Sequence, residues 1–148
     1  MKKVAISACL LGKKCRYDGK ENKDVKLLAM LKDCELVAFC PEDFCYGTPR
    51  PTMDLVDSNG EIKAISNLTG ANLTPPLLEY AKAFFDSNSD ISLFIGKDRS
   101  PSCGVKSAKV YNCNKELIST NGSGIMAKEA IKEGIKAFDS EDYVSRTF

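Results

Sequence analysis

Four cysteines stand where the chain could do chemistry. Cys9 and Cys15 lie in Ser7-Ala8-Cys9-Leu10-Leu11-Gly12 running on to Cys15-Arg16-Tyr17-Asp18-Gly19, Cys40 opens Cys40-Pro41-Glu42, and Cys103 sits in Ser100-Pro101-Ser102-Cys103-Gly104. Each falls at or just beyond the end of a short apolar run. The chain has seven cysteines and no histidine, so nucleophile pairs of the Ser/His or Cys/His kind are excluded. Thiolates converging from several strand ends, without imidazole, point first to an iron–sulfur cluster and second to zinc.

Spacing alone does not decide between them. Cys9 and Cys15 are too far apart for a zinc knuckle and do not match the tight ferredoxin run. The setting says more. Gly12 lets the loop fold back, and Lys13, Lys14 and Arg16 are expected to lower the thiolate pKa values. Pro101 and Gly104 fix a tight turn around Cys103. The flanking hydroxyls of Ser100 and Ser102 can face a substrate while the thiolate faces a metal. In Cys40-Pro41-Glu42 a carboxylate stands beside a thiol, a candidate general acid or base if the pocket raises its pKa. Arg50, on the stiff Thr48-Pro49-Arg50-Pro51 loop, could pair with a carboxylate, a phosphate or a polar base edge, or internally with Asp18 or Asp54. Gly122-Ser123-Gly124 at a helix start is a helix cap or a weak anion site. Cys34, Cys45 and Cys113 read equally well as small buried hydrophobes. No Walker motif and no G-x-G-x-x-G is present.

The elements that must position these groups alternate. Lys3–Ala8, Glu35–Phe39 and Ile91–Ile95 are continuous apolar runs, as strands buried on both faces are. Asn22–Lys32 has helical apolar spacing. A helix from Thr74 to about Asp86 starts with a hydroxyl cap and two prolines. Met53–Ile65 suits a hairpin around Asn59-Gly60. Val105–Tyr111 and Glu116–Ser119 suit short strands about a turn at 112–115. Ile125–Glu133 is expected to be the last helix, ending at Gly134, before a short strand Ile135–Phe138. The pattern predicts one α/β domain over residues 1–148, three-layered and Rossmann-like, with a mostly parallel sheet. Ligands in such sheets bind beyond the carboxyl ends of the strands, which is where Cys9, Cys40 and Cys103 fall.

Composition narrows the partners. With 21 basic and 20 acidic side chains the net charge is +1, too balanced to hold a large nucleic acid by charge. No run reaches membrane-spanning length. The apolar N-terminus is short, broken by Ser7 and followed by Lys13-Lys14, so it reads as a strand rather than a signal peptide. An odd number of cysteines argues against a disulfide framework, and the expected compartment is the cytoplasm.

Taken together, S-A-C-L-L-G-x-x-C-R-Y-D-G, C-P-E-x5-T-P-R-P and S-P-S-C-G resemble the thiouracil desulfidase family from Ile6 to about Tyr143. The resemblance implies a 4Fe–4S cluster held by three cysteines, here Cys9, Cys15 and Cys103, with Cys40 in reserve. The fourth iron would take sulfur from a small thiolated nucleobase without net redox change, releasing hydrogen sulfide. It implies Glu42 with Ser102 or Ser100 as the proton-handling and substrate-orienting groups; Cys40, read as ligand, reactive thiol or spectator, is counted with these catalytic groups, and Arg50 and Asp18 are assigned to substrate binding. The chain departs from the family where Asp43-Phe44-Cys45-Tyr46-Gly47 replaces a stretch that commonly carries a Gly-Gly pair. Two other readings use the same cysteines: a non-catalytic metal-binding or redox-sensing module, and a cluster-free thiol enzyme with Cys103 or Cys9 as nucleophile.

Overall fold

A computed structural model describes residues 2–146. The elements in chain order are β1 (Lys3–Ser7), α1 (Val25–Met30), β2 (Glu35–Phe39), α2 (Pro41–Tyr46), β3 (Met53–Ser58), β4 (Glu61–Ser66), α3 (Thr74–Ser87), β5 (Leu93–Gly96), β6 (Ala108–Tyr111), β7 (Leu117–Gly122), α4 (Ile125–Lys132), β8 (Lys136–Asp139) and α5 (Ser140–Arg146). They form the expected α/β fold with helices on both faces of a parallel sheet. That sheet has the order β2-β1-β5-β8 and every pairing in it is parallel. The hairpin and the strands of 108–122 form a second sheet, β4-β3-β6-β7, in which a parallel β3–β6 pair is flanked by two antiparallel ones.

Strand alternation sorts the parallel sheet into two cores. Val4, Ile6, Leu93 and Ile95 point to one face, where they meet Leu27 of α1, Leu31 just beyond it, and Tyr143 and Val144 of α5. Ala5, Phe39 and Phe94 point to the other, against Ala81 and Phe85 of α3 and Met126, Ala127 and Ala130 of α4. Each large apolar side chain so buried contributes about 1.5–3 kcal/mol relative to exposure. Both faces are covered, which is why these strands lack polar alternation. A third cluster joins the sheets, with Met53, Leu55, Ala64, Ala108 and Val110 packed on Leu77 of α3 and Ile125 of α4.

The differences from expectation have local causes. Helix α1 is shorter than Asn22–Lys32 because the amides of Asn22 and Asp24 are taken by the carbonyls of Cys9 and Leu10, at 2.9 and 3.0 Å. Asp24 then caps the helix, accepting from the Leu27 amide at 3.0 Å. Thr74 does not cap α3: its hydroxyl accepts from the Ala64 amide at 2.8 Å, tying the helix to β4. The turn at Asn59-Gly60 is as expected, with both residues at positive φ. Helices α2 and α5 were not anticipated. Pro41 lies just beyond β2 and is the first residue of α2, and α5 lies beyond α4, the helix expected to be the last.

Candidate active site

The parallel sheet places the site. From β1 the chain passes through α1 to β2 on one side, then returns to β5 on the other side of β1. Loops leaving β1 and β5 therefore diverge, and the crevice between their carboxyl ends is the usual ligand position in such sheets. A cavity of about 410 Å³ lies there. Its lining residues come from three segments, following β1, β2 and β5 in turn.

Four thiols face this cavity. Cys9 sits on a 3-10 turn, Ala8–Leu11, directly after β1. Cys15 is on the same loop, Cys40 follows β2, and Cys103 is on the loop after β5. Cys9, Cys15 and Cys103 are buried and Cys40 is half-buried. The Cys40 thiol lies 3.8 Å from the Cys15 carbonyl. Of the cations expected to lower the thiol pKa values, Arg16 does so at Cys9, but too weakly to set the direction. Burial pushes all four upward, Cys15 to about 12. At Cys9 the Asn22 hydrogen bond and the charges of Lys97 and Arg16 offset only part of that burial. Removing a thiolate from water outweighs a neighbouring cation that stays partly hydrated.

The donor chemistry tests the two metal readings. Among the described residues, no three of His, Cys, Asp and Glu gather closely enough to hold a single metal ion, so the zinc alternative finds no support. A cluster of several irons takes its thiolates at separate corners, and thiols set around a cavity fit that demand. Neutral buried thiols also fit it, since the metal's own charge would ionise them.

The loop bearing Cys103 is held without slack. A Cβ at Gly96 would lie 1.8 Å from the Cys103 carbonyl oxygen, and one at Gly124 would lie 2.4 Å from the Ser102 carbonyl carbon. Only glycine permits these approaches. The first amides of α4 point into the loop: Ile125 donates to the Pro101 carbonyl at 3.1 Å, and Met126 and Ala127 donate to that of Ser102 at 2.8 and 3.2 Å. The helix start that might have held an anion is thus occupied by loop carbonyls. On the far side the buried Asp139, at the end of β8, accepts from the amides of Val105 and Lys106 at 2.7 and 2.9 Å and from the Ser107 hydroxyl at 2.8 Å.

Glu42, in the first turn of α2, closes the cavity opposite this loop. The Ser102 hydroxyl donates to its Oε2 at 2.5 Å. Ser100 Oγ stands 3.2 Å from Ser102 Oγ and accepts from the amides of Ser102 and Cys103 at 3.3 and 3.0 Å. Since Ser102 spends its single proton on Glu42, Ser100 donates to Ser102, and the hydroxyls form a directed chain toward the carboxylate. Arg50 Nε faces Glu42 Oε1 at 3.5 Å. Arg50 Nη1 donates to the Gly47 carbonyl at 3.0 Å and to Thr48 Oγ1 at 2.9 Å. Its side chain is 5% exposed, and its buried Nε has no hydrogen-bond partner.

Most of the residues singled out from the sequence therefore meet at one place: Cys9, Cys15, Cys40, Glu42, Arg50, Ser100, Ser102 and Cys103 all line the cavity. Asp18 does not. Its carboxylate accepts from the Lys20 amide at 3.0 Å and faces Arg16 Nε at 3.7 Å, closing its own turn. Arg50's ionic partner is Glu42, rather than Asp18 or Asp54. Cys45 turns away toward a groove between α2 and α3, and Cys113 is exposed on the β6–β7 turn. Sequence reasoning missed Tyr17, Asn22 and Lys97, which also line the cavity. Their proximity to Cys9, Cys15 and Cys103 in the chain was the available signal.

The comparisons bear on this arrangement. The family model for 2-thiouracil desulfurase matches residues 4–142. The chain belongs to the 2-thiouracil desulfurase family. It is accordingly an enzyme rather than a non-catalytic metal module. The uncharacterized protein YbbK of Bacillus subtilis (strain 168) is 27% identical over 147 residues, covering 94% of this chain and 96% of the relative. The solved structure of TudS, a [4Fe-4S]-dependent thiouracil desulfidase, superposes with a TM-score of 0.75 at 29% identity, over 96% of this chain and 93% of that one. The family match spans the parallel sheet and all three cavity-lining segments. Among the described residues no helix is long and apolar enough to cross a membrane.

Proposed function

We propose that this family member removes sulfur from a small thiolated pyrimidine such as 2-thiouracil by non-redox hydrolysis, using a 4Fe–4S cluster bound through Cys9, Cys15 and Cys103. The observation that carries the reading is the convergence of those three buried thiols with the Glu42–Ser102 pair on one cavity. The dependence of TudS on [4Fe-4S] supports the choice of cofactor. Held by three thiolates, the cluster supplies when bound a Lewis-acidic iron with affinity for the thiocarbonyl sulfur.

The chain's own groups handle the protons. Water adds to the carbon of the C=S bond and Glu42 takes its proton, directly or along the Ser100–Ser102 hydroxyls that already point to Oε2. Arg50 beside Oε1 fixes the carboxylate's orientation. The C–S bond then breaks, the sulfur leaves as hydrosulfide, and one C=S has become one C=O. Thiouracil and water give uracil and hydrogen sulfide, with no electron taken from or given to the protein. A cluster-free mechanism with Cys103 or Cys9 as nucleophile is disfavoured, because burial pushes both thiols up in pKa and so works against the thiolate that would attack.

Protein purified without oxygen should be brown, carry about four irons and four sulfides per chain, and release hydrogen sulfide from 2-thiouracil. A colourless, iron-free protein with full activity would overturn the reading. Cys40→Ser should keep the cluster; loss of iron in that variant would make the site a four-thiolate one.

A further inference from the structure

Tyr17 has no role in the proton handling or the ligand set, yet it lines the cavity while remaining 43% exposed. Its position is fixed by backbone on both sides. The amide of Gly19 donates to the Arg16 carbonyl at 2.9 Å and that of Arg16 to Lys20 at 3.1 Å, closing a tight turn with Tyr17 inside it. The Arg50 amide donates to the Tyr17 carbonyl at 2.9 Å, so the residue that faces Glu42 also anchors this turn. One face of the ring is backed by the Arg16 guanidinium, 5.6 Å from the centroid. That guanidinium is itself held by Asn22 Oδ1 at 3.0 Å and faces Asp18 at 3.7 Å.

The other ring on the cavity wall cannot serve a ligand. Phe39 is 1% exposed and stacked on Phe94, with centroids 4.8 Å apart and planes 11° from parallel. Among the described residues that line the cavity, Tyr17 alone offers an aromatic ring with substantial exposure. A large exposed aromatic, held at a cavity rim by backbone bonds and backed by a pinned cation, suits a flat ring as its partner.

We infer that Tyr17 is the stacking platform for the heteroaromatic ring of the substrate, and that it selects thiolated nucleobases over acyclic thioamides. This rests on the desulfuration reading for the identity of the ligand. The role assigned to Tyr17 is positioning and specificity; proton transfer stays with Glu42.

The test uses uracil, which has the ring but no sulfur, so that its binding reports the stack apart from the iron chemistry. Calorimetry on anaerobically purified protein should show uracil binding that weakens roughly tenfold in Tyr17→Ala and in the non-planar Tyr17→Leu, the loss expected for one base–aromatic stack, and is retained in Tyr17→Phe. In turnover assays Tyr17→Ala should raise KM for 2-thiouracil by a similar factor, with most of the effect in KM rather than kcat and the cluster absorbance unchanged. Equal uracil affinity in Tyr17→Ala and the parent protein, or no uracil binding by the parent, overturns the proposal. So does a Tyr17→Phe variant as weak as Tyr17→Ala, which would assign the effect to the hydroxyl. Tyr17-dependent uracil binding in a protein that never releases sulfide would uphold the platform and sink the desulfuration reading instead.

Discussion

The parallel sheet β2-β1-β5-β8 and the mixed sheet β4-β3-β6-β7 differ in what covers them. In the first, β1 and β5 are buried almost end to end, with helices on both faces. In the second, β3 alternates buried and half-buried residues, and β7 is largely exposed, with Leu117 and Ile118 about half open to solvent. All segments lining the cavity leave the first sheet; none of the strand residues of the second reaches it. A sheet that diverges at a switch point creates a crevice at strand ends, whereas hairpins return the chain at once and create none. The second sheet serves as a brace. Through Leu77 and Ile125 it packs on α3 and α4, and α4 is the helix whose first amides grip the Cys103 loop.

Paired substitutions can break that division. The largest expected effect is at a proposed ligand: Cys103→Ser should abolish iron retention and turnover together, while Cys113→Ser, on the turn of the second sheet, should change neither. Iron assay and sulfide release read both, and a Cys103→Ser protein with a full iron complement would remove Cys103 from the ligand set. Next comes Glu42→Gln, expected to lower kcat by roughly 10²- to 10⁴-fold with iron content intact; colour lost along with turnover would make Glu42 structural. The smallest functional effect belongs to the brace. Leu55→Ala, at a fully buried site, should cost about 2–5 kcal/mol in denaturant unfolding, yet leave kcat per folded molecule unchanged. A large kcat loss there would show that the second sheet shapes the chemistry.

The central strands β1 and β5 were legible because burial on both faces leaves a nearly unbroken apolar run. The hairpin was legible through Asn59-Gly60. Less so was the second sheet, since β3 and β6 pair across more than fifty residues of chain by a register no local signal encodes. Helix α2 was hidden because Pro41 ends one element and begins the next. At the site, residue types announced the thiols and Glu42, but the pKa direction was misread: adjacent lysines are visible in sequence and burial is not. Asp18 was misplaced for a related reason. A carboxylate near a motif gives no hint whether it faces the cavity or its own turn.

The grip of α4 on the Cys103 loop also dictates an order of assembly. The carbonyls of Pro101 and Ser102 find their donors only when α4 has formed, and the amides of Val105 and Lys106 find their acceptor only when Asp139 is in place. Cys9 and Cys15 belong to the first strand and its turn, made early in synthesis, whereas the proposed third ligand waits for the last quarter of the polypeptide. Iron offered to a nascent chain would lack the proposed third ligand. Stable loading belongs to the finished molecule.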